Sequence, residues 1–404
     1  MTIPLDKPRL LVLASTYPRW AEDVEPGFVH ELTRRLTDSF EVSVITPHAP
    51  GALSEQMLDG VHIQRYRYAP LRWETLVHGG GIVTNLKRSP WKLALVPGFI
   101  AMQWWAVRRA LKRAPVAVVH AHWLLPQGLV VRALGERAPA YVVTSHGADL
   151  FALRGEWFAR LRRAVVARAA AVTVVSAAMR EQVLHETPTA AVEVLPMGVD
   201  TVQRFTPDST QPREPAELLF VGRLVEKKGL RHLLDALPAV LVRHPATRLT
   251  IAGFGPEQAS LQQQVQRLGL QAHVNFLGAV AQSQLPALYR RASLFVAPFV
   301  KAQGGDQEGL GLVVAEAMAC GCPVLVGDVP AVHDLVSGET GVIVAAVDTA
   351  GLAAAIDAVL IDPAGAAARA ERARARVLAH FGWDAVAANY RAVLLAAAST
   401  LPRK

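Results

Sequence analysis

Short, continuous apolar runs recur along the whole chain, most ending at or next to glycine, proline or histidine and most followed by a helix-forming stretch. Arg9–Ser15, Glu41–Thr46, Val61–Tyr66, Val116–His122, Tyr141–His146, Ala171–Ser176 and Val192–Pro196 form the first series. Glu217–Gly222, Arg248–Gly253, His273–Gly278, Ser293–Pro298, Val324–Gly327 and Gly341–Val344 form the second. Most of these runs lack in–out alternation, so they read as strands covered on both faces, which is the habit of parallel sheets. Parallel strands need crossover helices, and the intervening stretches supply them. The expected class is therefore α/β, with two open parallel sheets. The stretch from Met197 to Pro215 is polar, rich in Pro and Thr, and has no apolar period, so it marks the boundary. At 404 residues the chain exceeds one ordinary core. The expected division is residues 1–200, residues 201–380, and a helical tail, 381–404, broken near Phe381-Gly-Trp383.

Charge is unevenly spread. Between Val61 and Arg113 there are ten Lys or Arg and one acid, Glu74, so this segment alone carries +9 against +8 for the whole chain. Four of the eight tryptophans (Trp73, Trp91, Trp104 and Trp105) lie in it as well. Basic side chains interleaved with Trp suit an anionic bilayer surface, where rings sit at headgroup level and each cation adds attraction. The alternative is a core-packing helix with a solvated basic face. Lys87, Arg88, Trp91, Trp104, Trp105 and His122 are accordingly candidates for an acceptor or membrane side. No nucleic-acid motif is present, and the longest mainly apolar run, Leu93–Val107, is short for a membrane span. Cys320 and Cys322 are the only cysteines, which offers no disulfide framework and suggests a reducing compartment. The start, Met1 to Arg9, leads into a strand without a signal-peptide pattern, so a cytoplasmic location is expected.

Glu308-Gly-Leu-Gly-Leu312 follows the Ser293–Pro298 strand and precedes an apolar helix from Leu312 to Cys320, stopped by Gly321. Glu308 then lies at the helix mouth and Glu316 about one turn inside. Gly309 and Gly311 strip side chains from the helix start, leaving amides and the positive dipole end open to an anion such as a diphosphate. Flanking carboxylates can accept from sugar hydroxyls. A second anion-seeking turn is Gly222-Arg223-Leu-Val-Glu-Lys-Lys228-Gly229, with cations beside glycines. In parallel sheets ligands gather at the C-terminal strand ends. That draws in the Thr16–Gly27 loop, His146-Gly147 and Gly253. No G-x-G-x-x-G follows a strand, which weakens a nicotinamide or flavin reading. No histidine or acidic spacing suggests a metal site, and the only lookalike of Asp-x-Asp is Asp23-Val-Glu25.

Four stations stand in order in the second half: Gly222-Arg-Leu with Lys228-Gly, Ile251-Ala-Gly-x-Gly-Pro256, Val274-x-Phe-x-Gly278, and Glu308-x7-Glu316 with Gly321-x-Pro323. Together they resemble glycosyltransferase family 4, a retaining family of GT-B fold. Phe254 stands where the family often has an acid, and Phe28 follows Gly27 where a second glycine is frequent.

The resemblance implies two Rossmann-like domains with parallel sheets facing across a cleft, and a C-terminal helix crossing back to the first. It implies transfer of a hexose from a UDP- or GDP-linked donor to a lipid-linked or glycan acceptor, with no metal. Arg223 and Lys228 would bind the diphosphate, Glu308 the transferred sugar, Glu316 the ribose, and His146 would lie near the sugar. Gly27, Gly222, Gly253, Phe276, Val280, Gly309, Leu310, Gly311 and Leu312 would complete the donor surface. The alternatives are a nucleotide-sugar epimerase or a sugar phosphorylase of the same fold, or a non-catalytic nucleotide-sugar-binding subunit.

Overall fold

The computed structural model describes residues 7–20, 23, 27–79, 81–208 and 210–399. Much of the Thr16–Gly27 loop, including Val24 and Glu25, lies outside them. The chain forms two compact units, Met1–Pro196 with Val386–Lys404, and Met197–Ala385.

The first unit is built on β1 (Arg9–Leu13), β2 (Glu41–Pro47), β3 (Glu55–Leu58), β4 (Val61–Tyr66), β5 (Val118–His122), β6 (Tyr141–Ser145), β7 (Ala171–Val174) and β8 (Val192–Val194). Their order in the sheet is β3-β4-β2-β1-β5-β6-β7-β8. All pairings are parallel except β3 with β4. The strand β3 escapes a reading by apolar runs because Glu-Gln-Met-Leu is an edge hairpin partner, exposed or half-buried throughout. Every residue of β5 and β6 is buried. Order reverses between β1 and β5, so the ligand-accepting position lies where Leu13 and His122 end their strands. The last long helix, Trp383–Ser399, supplies this unit from Val386 onward. There the Tyr390 hydroxyl donates to the Leu195 carbonyl at 2.9 Å and its ring lies 5.6 Å from that of His120.

The second unit is an all-parallel sheet of β9 (Glu214–Val221), β10 (Arg248–Ala252), β11 (Val274–Gly278), β12 (Ala292–Ala297), β13 (Val324–Gly327) and β14 (Val342–Val344). Its order is β11-β10-β9-β12-β13-β14, with the reversal between β9 and β12. Leu218, Phe220, Leu294 and Val296 from those central strands pack with Leu230, Leu233, Leu234 and Leu237 of the helix Leu230–Arg243. Each such side chain contributes about 1.5–3 kcal/mol through burial. The strand ends are brought together by glycines. A Cβ on Gly229 would lie 1.8 Å from the Pro298 carbonyl oxygen, and one on Gly253 would lie 1.8 Å from that of Gly222. Gly229 also has φ +68°, where an L side chain is strained. Only glycine lets the turn after β9 lie against the end of β12.

Candidate functional site

At the reversal in the second unit, the turn after β9 carries Arg223 and Lys228, and the loop before the helix Leu312–Ala319 carries Glu308. Lys228 Nζ donates to Glu308 Oε2 at 2.7 Å, with both side chains largely buried. The ammonium also lies 4.6 Å from the centroid of Phe299. Burial pushes the Glu308 carboxyl up, but the charges of Lys228 and Lys227, the Lys228 bond and the Gly309 amide outweigh it, leaving it at about 2. Lys228 is pushed down by burial and by its cationic neighbours Lys227 and Arg223, with Glu308 opposing. The ion pair is therefore formed at neutral pH. Beside it, Lys227 Nζ donates to Asp306 Oδ1 and to the Gln307 carbonyl, each at 3.1 Å, which fixes the loop that delivers Glu308.

The helix begins at Gly311, whose φ of +89° and contact with Phe299 exclude a side chain there. No side chain among the described residues caps its amides. It ends at Ala319 with Cys320 as its cap, one residue short of the expected end, and Gly321 follows at φ +69°. Gly309, Leu310 and Gly311 are buried and Leu312 is half-buried. Glu316 faces inward and is 8% exposed. It accepts from the Tyr289 hydroxyl at 3.0 Å. Burial raises its carboxyl to about 7 against bonds from Tyr289 and Gln282 and the charges of Arg204 and Lys228. Gln282 in turn accepts from Arg204 Nη1 at 2.9 Å. Tyr289, Gln282 and Arg204 are part of this cluster and carry no sequence signal, because they come from separate turns and helices.

The amide of the glycine after β10 is already engaged. The Gly253 amide donates to the Gly278 carbonyl at 2.8 Å, and its Cα side is occupied by Gly222. Phe276 is half-buried and packs against the core of the unit, which leaves its backbone as the part that could meet a base. Gly278 has φ +71° with open space beside it, and Val280 is half-buried just beyond, so that corner keeps its opening.

In the first unit, His146 follows β6 and sits among three rings. Its centroid is 5.1 Å from His122, 5.0 Å from Phe28 and 4.9 Å from Trp123. His122 Nδ1 and His146 Nε2 are 2.9 Å apart, and the two ring planes are 9° from parallel. Burial, then the charge of His120, holds His146 down at about 3. His122 is wholly buried, so it lies behind His146 and not at an acceptor-facing or membrane surface as expected. Asp149 is a residue that spacing alone did not single out. Its carboxylate accepts from the Leu124 amide and the Ser145 hydroxyl, both at 2.6 Å, and so ties the loop after β5 to the end of β6. Gly27 opens the helix Phe28–Arg35 with φ −88°, and the nearest atom among the described residues to a Cβ there is 3.9 Å away. The φ value does not require glycine at that point, and neither does packing among the described residues.

The basic segment divides into a packed and an open face. In the helix Val96–Arg113, Phe99, Gln103 and Val107 are buried at i, i+4, i+8. Trp105 is 51% exposed and Trp91, in the preceding turn, 56%. Lys87 and Arg88 are exposed, and Trp104 is half-buried. Arg108 lies 4.6 Å over Trp104, and Arg109 lies 5.5 Å over Trp105. No helix among the described residues is by itself long and apolar enough to cross a membrane. Nor do they contain a group of three or more His, Cys, Asp or Glu side chains arranged to hold a metal ion.

Comparison with known proteins decides the family. Residues 28–203 match the model for Glycosyltransferase Family 4, and residues 202–376 match Glycosyl transferases group 1. Glycogen synthase of Mycobacterium tuberculosis is 35% identical over 292 residues, 69% of each chain. The chain belongs to glycosyltransferase family 4. A second relative of this glycosyltransferase is the GDP-mannose-dependent alpha-(1-6)-phosphatidylinositol monomannoside mannosyltransferase of Mycolicibacterium smegmatis. The two are 37% identical over 207 residues, 48% of this chain and 54% of that one. Among solved structures, sucrose-phosphate synthase from Thermosynechococcus elongatus superposes with a TM-score of 0.79 at 23% identity, over 96% of this chain and all of that one. Anabaena HepE in complex with UDP-glucose superposes at 0.74 with 18% identity, over 96% of this chain and 99% of that one. The fold is GT-B. The enzyme is a nucleotide-sugar-dependent glycosyltransferase, and the switch-point residues of its second unit are the candidates for donor binding.

Proposed function

We propose that this glycosyltransferase moves a hexose, with retention and without a metal, from a UDP- or GDP-sugar to a lipid-linked or glycan acceptor of cell-surface glycan or glycolipid synthesis. The observation that carries the donor half is the buried Lys228–Glu308 pair beside the uncapped start of the Leu312–Ala319 helix. A diphosphate meets there an ammonium, the Arg223 guanidinium and the helix amides. Glu308, released from Lys228, accepts from a hydroxyl of the transferred sugar. Glu316, at the same helix one turn deeper, accepts from ribose hydroxyls. His146 in the first unit hydrogen-bonds a sugar hydroxyl.

In the reaction the bond between the anomeric carbon and the diphosphate oxygen breaks, and its electron pair leaves with the phosphate. The acceptor oxygen bonds the anomeric carbon on the same face, and its proton passes to the departing phosphate oxygen. Arg223, Lys228 and the helix amides stabilise the negative charge as it grows, which is the dominant contribution in sites of this kind. The relatives named for GDP-mannose and the fold neighbour bound to UDP-glucose support a guanosine or uridine donor. The exposed Trp91 and Trp105 among ten basic residues support work at the anionic cytoplasmic face of a membrane.

A panel of UDP-, GDP- and ADP-sugars, scored without metal by thermal shift and slow donor hydrolysis, tests this reading. One nucleotide series stabilises the protein, and Arg223→Ala and Glu316→Ala abolish the effect. Folded protein that responds to none of the panel refutes the donor site.

A further inference from the structure

We infer that His122 is a positioning residue that holds His146 in its Nδ1–H form, so that His146 offers a sugar hydroxyl a hydrogen-bond donor and never a base. The inference rests on the proposed sugar contact of His146 for its consequence, and on geometry alone for the tautomer. One proton lies between His122 Nδ1 and His146 Nε2, which are 2.9 Å apart. It belongs to one ring or the other, because neutral imidazole has one N–H.

Suppose His146 holds that proton on Nε2. His122 must then carry its own proton on Nε2. That atom is buried and has no hydrogen-bond partner among the described residues. A buried N–H without an acceptor is a rare arrangement, rarer than a buried lone pair left bare. Suppose instead His122 donates from Nδ1. Its Nε2 is then a bare lone pair, and no donor is orphaned. His146 must in that case carry its proton on Nδ1. That nitrogen has no hydrogen-bond partner among the described residues and is not among their buried, unpartnered atoms, so it is the one left to meet a ligand. A doubly protonated alternative is opposed by burial of the stack and by the nearby ring of His120, 4.2 Å from that of His122.

The surroundings fix the ring as well as the proton. Phe28 and Trp123 flank His146, and the near-parallel His122 ring, tilted by 9°, backs it. Asp149 holds both loops in place through Leu124 and Ser145. A ring so confined cannot flip to exchange its nitrogens without breaking the bond to His122. The pair therefore converts a residue usually associated with proton transfer into a fixed, neutral donor.

Long-range 1H–15N spectra of the full chain labelled at histidine test this directly, with signals assigned through His146→Ala and His122→Phe. The expected spectra place the proton on Nδ1 of both residues between pH 6 and 8. In kinetics, His122→Phe keeps the ring and its packing but loses the donor, and kcat is expected to fall about tenfold or more. His122→Asn, whose amide nitrogen can stand near Nδ1, restores a large part of that loss. An Nε2-protonated His146 overturns the inference. So does a folded His122→Phe enzyme with unchanged kcat while His146→Ala is impaired. A fully active His146→Ala instead overturns the sugar contact itself, and the spectra alone then decide the tautomer.

Discussion

Replacing Glu308 by Gln tests the central ion pair, and its cost can be worked out beforehand. A carboxyl at about 2 in place of the ordinary 4.5 adds about 3 kcal/mol to folded-state stability at neutral pH. Because the folded value is depressed, that stability is complete above 4.5 and is lost as pH falls toward 2. Burial lowers Lys228 in the opposite sense, so the pair as a whole is worth less than the carboxylate alone. Removing one partner is nevertheless more damaging than removing both. Glu308→Gln leaves an ammonium desolvated beside Phe299, at a cost of about 3–5 kcal/mol. Lys228→Met combined with Glu308→Leu leaves no buried charge and recovers most of it. Urea unfolding at pH 7 and again at pH 3 measures each variant against wild type. The Glu308→Gln deficit should shrink at pH 3, where the carboxyl of the unfolded wild-type chain is already protonated while the folded one at about 2 is still mostly ionised. A saturating nucleoside diphosphate should restore about 2–3 kcal/mol to Glu308→Gln at a hundredfold excess over Kd, since its phosphate replaces the lost counter-charge. A Glu308→Gln protein as stable as wild type at pH 7, or a deficit that does not change with pH, would refute the reasoning.

The steric readings separate glycines that look alike in sequence. Gly229→Ala and Gly253→Ala push a methyl to 1.8 Å from a carbonyl oxygen, so each should cost about 3 kcal/mol or more by chemical denaturation. Gly278→Ala, with positive φ but open space, should cost about 1–2 kcal/mol, and Gly27→Ala almost nothing. Glu316 titrates near 7 when buried, above its ordinary 4.5, so its ionisation opposes folding increasingly from pH 4.5 to 7 and by a constant amount above. Glu316→Gln should therefore raise the melting temperature of the donor-free protein at pH 8, while removing the rise in nucleotide affinity expected between pH 6 and 8 by calorimetry. Trp91→Ala with Trp105→Ala should weaken sedimentation with vesicles containing phosphatidylglycerol about tenfold or more, and leave neutral vesicles unbound as before.

Strand positions, the boundary near Met197 and the Glu308–Glu316 helix could be read from sequence because each rests on local chemistry. Apolar runs bury, glycine frees a helix mouth, and proline and threonine mark a linker. The strand β3 could not be read so, since an edge strand needs no apolar face. The state of the site was hidden for a different reason. Lys228 and Glu308 are separated by 79 intervening residues, and only the adjacency of β9 and β12 makes them partners. Read singly, each invites a ligand, and nothing in either motif says that the two satisfy each other first. The same holds for His122 and His146, which sequence places at the ends of two strands and pairing of β5 with β6 brings into contact. Motifs report which chemical groups a site contains. What those groups do before substrate arrives depends on sheet order, because neighbouring strand ends decide which charge or ring nitrogen is already engaged. In this enzyme that competition leaves Lys228 already engaged by Glu308, and one nitrogen of His146 already engaged by His122.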